Sequence, residues 1–428
     1  DIFKLQPGHY LTYKNNSLQI KRYWDIEESD SVNNEQDLIN GIRELFLDSV
    51  KRQLVGERPV GIFLSGGIDS TAVLGAASEA LTSKIKTFSV GFASSGKSEI
   101  FENKFNRDFY LARATSKFYN TDHHELFMSD KDAHDAFQES VWHMDEPVAN
   151  PVQIATFLLA KEARKEVVVV LGGDGGDEIF GGYPRYYYSK LLDFYGILPG
   201  FLRKGFLPAI IGNVFNKKDL NYKLNVPKTF ARYLLFMGEK SDTLSEVLKP
   251  RVFDPERLNT RLETYFPGNR FRDFGKYLMY LDFARWLPDE SLMRSDKMTM
   301  AHGLEERVPI LDHRLVELAF SIPTKYKVGG GNKNKRIFRK AVAKYLPPHI
   351  ANKDKRGWFS PASMWLREGM KDFAYEVLSS SYSKDTSQYL NFEAIHEMLD
   401  RHIVKKQYNL DTLWSLLTFQ VWYKKFFG

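Results

Sequence analysis

Between residues 59 and 171, short runs of β-branched and aromatic residues alternate with helical stretches, and that alternation leaves one class of fold. Pro59 to Leu64 reads as a short buried strand and Thr71 to Leu81 as a small-residue helix. Ile85 to Phe92 is a second strand, Phe105 to Tyr119 a helix, and His124 to Met128 a third strand. Val152 to Arg164 is a helix, and Glu166 to Leu171 a fourth strand. Strands that alternate with helices imply a doubly wound α/β fold, a parallel sheet with helices on both faces. Asp37 to Leu54 precedes it with helical periodicity, Leu38, Ile42, Leu45, Val50 and Leu54 falling on one side. After about Tyr183 apolar residues recur at helical spacing and no convincing strand appears. Residues 190 to 270 read as a looser helical insertion, and 277 to 428 as a helical bundle that includes Leu315 to Ser321, Lys335 to Lys344 and Thr412 to Phe427. At the other end, two alternating runs between His9 and Trp24 flank Asn15-Asn16, a hairpin signal. An isolated hairpin is marginal in water. It should therefore pack on the rest of the chain or belong to a sheet whose other strands lie elsewhere.

The composition narrows the chemistry. No cysteine occurs in 428 residues, which excludes a disulfide scaffold, a thiolate metal site and a cysteine nucleophile in this chain. The longest aliphatic run, Val167 to Leu171, is far short of the roughly 18 apolar residues that span a bilayer. Asp1-Ile2-Phe3-Lys4 does not form a signal peptide, and a cytoplasmic protein is expected. The net charge is +6, a mild excess that suits a polyanion such as nucleic acid or a nucleotide phosphate chain. From Lys325 to Arg356 there are eleven Lys or Arg and a single acid, Asp354. By itself such a run reads as a solvated face.

Two glycine-rich motifs follow predicted strands. Phe63-Leu64-Ser65-Gly66-Gly67-Ile68-Asp69-Ser70-Thr71 leaves the first strand and opens a helix. Gly66 and Gly67 permit a tight turn whose N–H groups converge on an anion. Ser65 and Ser70 add hydroxyl donors, and the helix N-terminus adds partial positive charge. Asp69 would repel a phosphate directly and makes sense as a ligand to Mg²⁺ on that phosphate. No Gly-Lys-Ser/Thr follows, so this is not a Walker loop; a plain glycine turn with Asp as helix cap is the alternative. The second motif, Leu171-Gly172-Gly173-Asp174-Gly175-Gly176-Asp177-Glu178, leaves the fourth strand. Ligands of open parallel sheets bind at the carboxyl ends of the strands, so Asp69 and Asp177 can meet at one metal ion. A calcium-binding or flexible turn is the plainer reading of that loop.

With both motifs on the page, Ser65 to Ser70 resembles the pyrophosphate-binding loop of N-type ATP pyrophosphatases. Adding Gly173 to Glu178 and Gly181-Gly182-Tyr183, the chain resembles the synthetase domain of glutamine-dependent asparagine synthetases. Asp145-Glu146-Pro147, Glu305 to Asp312, Lys355-Arg356-Gly357 and Trp365-Leu366-Arg367 agree, so the resemblance covers residues 31 to 428. It implies the adenine nucleotide alpha hydrolase-like type of sheet. A nucleotide-binding core would occupy residues 31–190, and an all-helical part 191–428. Residues 1–30 would be the closing hairpin of an amidotransferase domain. The implied reaction has two steps. A carboxylate attacks the α-phosphate of ATP, and ammonia then attacks the resulting acyl-adenylate and expels AMP. Phe63, Leu64, Ser65, Gly66, Gly67, Asp69, Ser70, Val90, Gly172, Gly173 and Asp177 would bind the nucleotide, with Phe63 and Val90 flanking adenine. Asp69 and Asp177 would hold Mg²⁺. Lys335, in Asn334 to Arg339, maps onto the lysine that meets the phosphates. Asp174 maps onto the acid that accepts a proton from the incoming amine, and a structural cap of the loop is its other reading.

Departures from the family pattern mark where its inferences thin. Gly172 stands where a serine is usual and Trp358 where a phenylalanine is usual. Arg294 and Asp296 lie in the helix matching the acceptor region, with no contact assigned. Glutamine hydrolysis in this family needs an amino-terminal cysteine, which this chain lacks. The expected substrates are therefore a carboxylate, most simply aspartate, and free ammonia. A separate glutaminase domain or chain, or a second copy of this chain, are the partners it allows. Ligases of the same family that act on a sugar acid, a peptide or a β-lactam precursor keep the chemistry and change the acceptor. A tRNA-modifying ATP pyrophosphatase is a further reading, opposed by the absence of a visible RNA-binding module.

Overall fold

Five short strands form one parallel sheet, and their order decides where a ligand can sit. The computed structural model describes residues 3–29, 34–93, 98–197, 226, 229–238, 241–329, 334–353 and 357–428. After a hairpin of β1 (His9–Lys14) and β2 (Ser17–Arg22) come helix α1 (Glu35–Gln53), β3 (Val60–Phe63) and α2 (Ile68–Ala80). Then follow β4 (Lys86–Phe92), α3 (Arg107–Phe118), β5 (Asp122–Met128), α4 (Asp130–Met144), α5 (Val152–Ala163) and β6 (Val169–Leu171). The sheet order is β5-β4-β3-β6-β7, where β7 is Glu305–Arg307, and all pairs are parallel. The chain winds outward from β3 through β4 to β5, then returns to the other side of β3. The crevice between the carboxyl ends of β3 and β6 is thus the topological switch point. Register places Ile62 opposite Leu171, so the two glycine loops leave the sheet side by side.

Burial on both faces explains why the inner strands β3, β4 and β6 read as continuous apolar runs rather than alternating ones. Ile62, Leu64 and Leu171 face a core built with α1 and α2 (Phe46, Val73, Leu74) and with Phe320, Ile337 and Phe338 from the second half of the chain. Phe88, Val90, Phe92 and Val170 face a second core containing α5 (Ile154, Phe157) and Trp365, Leu399 and Trp414. The C-terminal half therefore covers both faces of the sheet.

The expectation of an all-helical second half needs one correction. Its helices include α6 (Gly176–Phe180), α7 (Pro184–Ile197), α8 (Phe274–Leu281), α9 (Met293–Met300), α10 (His313–Ser321), α11 (Arg336–Ala341), α12 (Phe392–Ile403) and α13 (Leu410–Phe427). It also supplies β7, the edge strand of the sheet. Three residues reading Glu-Glu-Arg carry no strand signal of their own; the pairing with β6 makes them a strand. Between α8 and α9 the chain runs as a π-helix, Asp282–Leu292, with Pro288 inside it. Hydrogen bonding from i to i+5 widens each turn, and such stretches gather at functional sites.

The hairpin behaves unlike the rest. Asn15 and Asn16 both have positive φ (51° and 56°), as a two-residue primed turn requires. Its side chains do not pack on the body: Tyr13, Leu18 and Ile20 are 65%, 57% and 53% exposed. Anchoring lies on either side of it, where Lys4 pairs with Glu146 (2.7 Å), Trp24 donates to Glu317 (2.7 Å) and Ile26 enters the core. No helix among the described residues is long and apolar enough to cross a membrane.

Candidate active site

The two glycine loops pack against each other more closely than any side chain would allow. Gly66 has φ +67°, and a Cβ there would lie 2.1 Å from the Asp108 carbonyl oxygen at the start of α3. The loop consequently turns sharply and releases α2 with its N-terminus facing the crevice. Ser65 and Ser70 close the turn by sharing a hydrogen bond between their hydroxyls (3.0 Å). From the facing loop, a Cβ on Gly173 would be 2.7 Å from the Ser70 nitrogen. A Cβ on Gly182 would strike Asp177 Oδ1 at 1.7 Å and Lys335 Cε at 2.4 Å. The glycines noted in the sequence thus allow two acids and one lysine to converge.

That convergence is the centre of the site. Lys335 Nζ lies 2.5 Å from Asp69 Oδ2 and 2.8 Å from Asp177 Oδ1, with only 3% of the lysine side chain exposed. Burial works against the ammonium charge, but Asp177 and Asp69 outweigh it and hold the group above the ordinary lysine value. Lys335 adopts φ +56° at the N-cap of α11, a left-handed backbone that a non-glycine residue rarely takes. Asn334 donates to the Gly182 carbonyl (2.8 Å) and Arg339 to the Asn334 carbonyl (2.9 Å), which fixes that turn. Backbone strain of this kind persists where surrounding contacts over-determine it.

A second acidic group lies beside the first. Asp174 is half-buried, accepts a hydrogen bond from Ser291 Oγ (3.3 Å), and is paired with Glu306 of β7. Burial raises both carboxyls, Asp174 raises Glu306 further, and the Arg294 guanidinium opposes both shifts. Two like charges so close hold one proton between them. The bond between them raises Glu306 and lowers Asp174, and the two carboxyls titrate as one unit. The wide π-helical turn brings Trp286, Glu290 and Ser291 to the same wall, where Glu290 accepts from Arg294 (2.8 Å) and Asn150 (2.7 Å).

These groups line one cavity of about 1060 Å³. Phe63, Leu64, Ser65, Gly67, Asp69, Ser70, Val90, Gly172, Gly173, Asp174, Asp177 and Lys335 all contribute to its wall. Gly66 is the exception: it is not in the wall, and its carbonyl accepts from Lys353 (2.9 Å), which is. Arg294 lies in the wall, whereas Asp296 does not. Lys355 and Arg356 fall outside the described residues. Sequence reasoning missed Glu306 as a site residue. Glu305 to Asp312 belonged to the family resemblance, but only the unexpected β7 pairing shows which of its two glutamates turns toward Asp174.

The site fits Mg²⁺ in a particular way. Asp69 Oδ1 is buried without a hydrogen-bond partner, so a ligand-accepting oxygen stands at the junction of the loops. Among the described residues no group of three or more His, Asp or Glu is placed to hold a metal by itself. One or two carboxylates completed by substrate phosphates and water is the usual way Mg²⁺ is held.

Comparison with known proteins adds a family to this geometry. Residues 41–424 match the family model described as asparagine synthase. Asparagine synthetase (glutamine-hydrolyzing) 1 of Bacillus subtilis is 30% identical over 430 residues, covering 99% of this chain and 65% of its own. Asparagine synthetase (glutamine-hydrolyzing) 3 of the same organism is 30% identical over 407 residues, 94% of this chain and 59% of its own. A Penicillium rubens amidase is 25% identical over 451 residues, 95% of this chain and 65% of its own. The chain thus spans somewhat less than two thirds of the length of these relatives.

Proposed function

The chain belongs to the asparagine synthase family, and from that premise we propose that it is an ATP-dependent amide synthetase forming AMP and pyrophosphate. Its simplest acceptor is the side-chain carboxylate of aspartate, with asparagine as product. The observation that carries the reading is the meeting of Asp69, Asp177 and Lys335 at the ends of β3 and β6.

In the first step a carboxylate oxygen of the acceptor forms a bond to the α-phosphorus of ATP. The bond from that phosphorus to the bridging oxygen breaks, and pyrophosphate leaves with the electron pair. Lys335 supplies a fixed positive charge where the leaving group accumulates negative charge, in a largely water-excluded cavity. The N–H groups at the start of α2 and the Ser65 and Ser70 hydroxyls provide neutral donors to the same anion. Asp69 and Asp177 would hold Mg²⁺, which when bound neutralises the pyrophosphate charge. In the second step ammonia forms a C–N bond to the acyl carbon as the C–O bond to AMP breaks. The nitrogen must shed a proton, and Asp174 in the cavity wall takes it, its affinity raised by burial.

For nitrogen, free ammonium serves the chain directly. A glutaminase domain supplying ammonia would dock at the exposed β1–β2 hairpin, whose outer edges carry no paired strand among the described residues. A second reading keeps the chemistry and enlarges the acceptor to a peptide, sugar acid or lactam precursor. It is supported by Trp286, Tyr183 and Met237 in the cavity wall and by the relative named as an amidase.

The test is pyrophosphate release with ATP, Mg²⁺ and a panel of carboxylic acids, followed by amide analysis with ammonium chloride or glutamine. Acid-dependent pyrophosphate and an ammonium-derived amide are expected. ATP cleavage that ignores every acid would end the proposal.

A further inference from the structure

The Gly66–Gly67 peptide is the softest point of the first loop. Neither residue has a side chain to bias it, and Gly66 already sits at φ +67°. A peptide between two glycines flips at little steric cost. Its orientation nevertheless matters, because one face presents the Gly67 N–H and the other the Gly66 carbonyl oxygen. The N–H is a donor to an anion, and the carbonyl would repel one.

In the structure the carbonyl is held by a lysine at the edge of the cavity. Lys353 Nζ donates to Gly66 O (2.9 Å) and to Asp108 Oδ1 (2.6 Å), with 6% of the lysine side chain exposed. The Gly67 N–H points the other way, toward Ser65 Oγ (3.3 Å), among residues that line the cavity. Asp108 fixes the ammonium from α3, whose first turn also supports Gly66 through the close approach of its carbonyl. The Lys353 backbone is tied in turn to the catalytic lysine's helix. Arg339 of α11 donates to the carbonyls of Lys353 (3.0 Å) and Asn334 (2.9 Å), the latter the residue before Lys335.

We propose that Lys353 is a positioning residue that locks the Gly66–Gly67 peptide, so that the first loop presents amide donors to the polyphosphate. Lys353 also lines the cavity, but its ammonium is committed to Gly66 O and Asp108 Oδ1, so it acts through the loop. The inference rests on the ATP-binding reading above. It predicts a defect confined to phosphate affinity, since the acceptor and ammonia meet the other wall of the cavity. A charge-assisted hydrogen bond of this kind is worth about a tenfold to hundredfold change in affinity.

The experiment compares Lys353→Met and Lys353→Arg in the full chain, by titration with inorganic pyrophosphate in the presence of Mg²⁺ and by steady-state kinetics. Lys353→Met is expected to raise the pyrophosphate dissociation constant and KM for ATP by about tenfold or more, leaving KM for ammonium within about twofold. Lys353→Arg should recover to within about threefold of wild type, because a guanidinium reaches both acceptors. A folded Met variant with unchanged pyrophosphate affinity and KM for ATP would overturn the proposal. So would a variant that only loses stability and kcat. If the Met variant does not fold, Lys353→Gln, which keeps a donor without the charge, carries the same comparison. Failure of the wild-type chain to bind either pyrophosphate or ATP would instead remove the reading on which the lock depends, and the lock with it.

Discussion

Two buried ion pairs lie on either side of Tyr183, and they are built to opposite ends. In one, Asp282 of the π-helix accepts both arms of Arg185 (2.9 and 2.7 Å) and the hydroxyls of Tyr186 and Tyr233. Its carboxylate is fully buried, and Arg185 stacks on Tyr183 at 3.8 Å. In the other, Asp69 and Asp177 share a single ammonium, and Asp69 Oδ1 has no hydrogen-bond partner. The first pair is saturated and sealed, and it joins α7, the π-helix and the helix Phe230–Met237. The second faces a cavity and keeps acceptor capacity unspent. A saturated buried charge specifies how elements pack, whereas an unsaturated one beside a cavity is capacity for a ligand.

The sharpest way to break this comparison is at Lys335. Lys335→Ala should lower pyrophosphate release by about a hundredfold to a thousandfold, the usual scale for one preorganised charge in an enclosed site. Lys335→Arg should rescue poorly, since a planar fork replaces a point charge between two carboxylates. The thermal midpoint should fall less than for a sealed pair, because both carboxylates stay partly exposed to the cavity. Wild-type pyrophosphate release from the Ala variant would take Lys335 out of the site.

The opposite pattern is expected at Asp282. Asp282→Ala leaves Arg185 buried without its partner, a loss of about 3–5 kcal/mol in folding stability for such pairs. Urea denaturation should show it as a lower midpoint, and the folded fraction should keep most of its turnover. A variant with normal stability and no activity would mean that the two pairs are not of different kinds.

How far this contrast could be read in advance depends on how local each signal was. Strands β3, β4 and β6 announced themselves because burial on both faces demands β-branched and aromatic runs. The glycine loops announced themselves because close packing forbids Cβ atoms. Lys335 was found through the Asn334 to Arg339 segment, since one lysine in a basic run carries no mark of burial. Glu306 was missed because β7 is a strand only by virtue of β6 beside it. Asp282 was equally invisible: its partners are 97, 96 and 49 residues away, and the π-helical turn that aims it has no periodicity separable from an α-helix.

A milder sharpening concerns Glu306. Glu306→Gln keeps a hydrogen-bond donor toward Asp174 but removes the shared proton. The pair can then no longer redistribute that proton when Asp174 accepts one, and amide formation should fall by about tenfold, toward the low end of general acid–base effects. Acceptor-dependent pyrophosphate release should persist, because the first step needs no proton transfer at that position. If both steps fell together, Glu306 would be supporting the cavity wall and not the proton.

The smallest effect is expected at a charge that is neither saturated nor open. Lys327 is fully buried in the helix Thr324–Lys327, against Met279 Sδ at 4.0 Å and the Phe320 ring at 5.1 Å. Burial, reinforced by the neighbouring Lys276 and opposed only in part by Asp273, pulls its pKa down to about 7. An unfolded lysine keeps its proton up to about pH 10.4. Between those values the unfolded chain binds more protons than the folded one, so stability should rise with pH across that window and be lowest at or below about 7. Lys327→Met retains the length of the side chain and discards the charge. It should therefore raise the thermal midpoint by about 2–4 °C at pH 6.5, with the gain shrinking toward pH 9. Thermal unfolding of both proteins at the two pH values measures this directly. A gain of equal size at both, or a loss at pH 6.5, would show that Lys327 has a partner that satisfies it, and would place it with Asp282 and not apart from it.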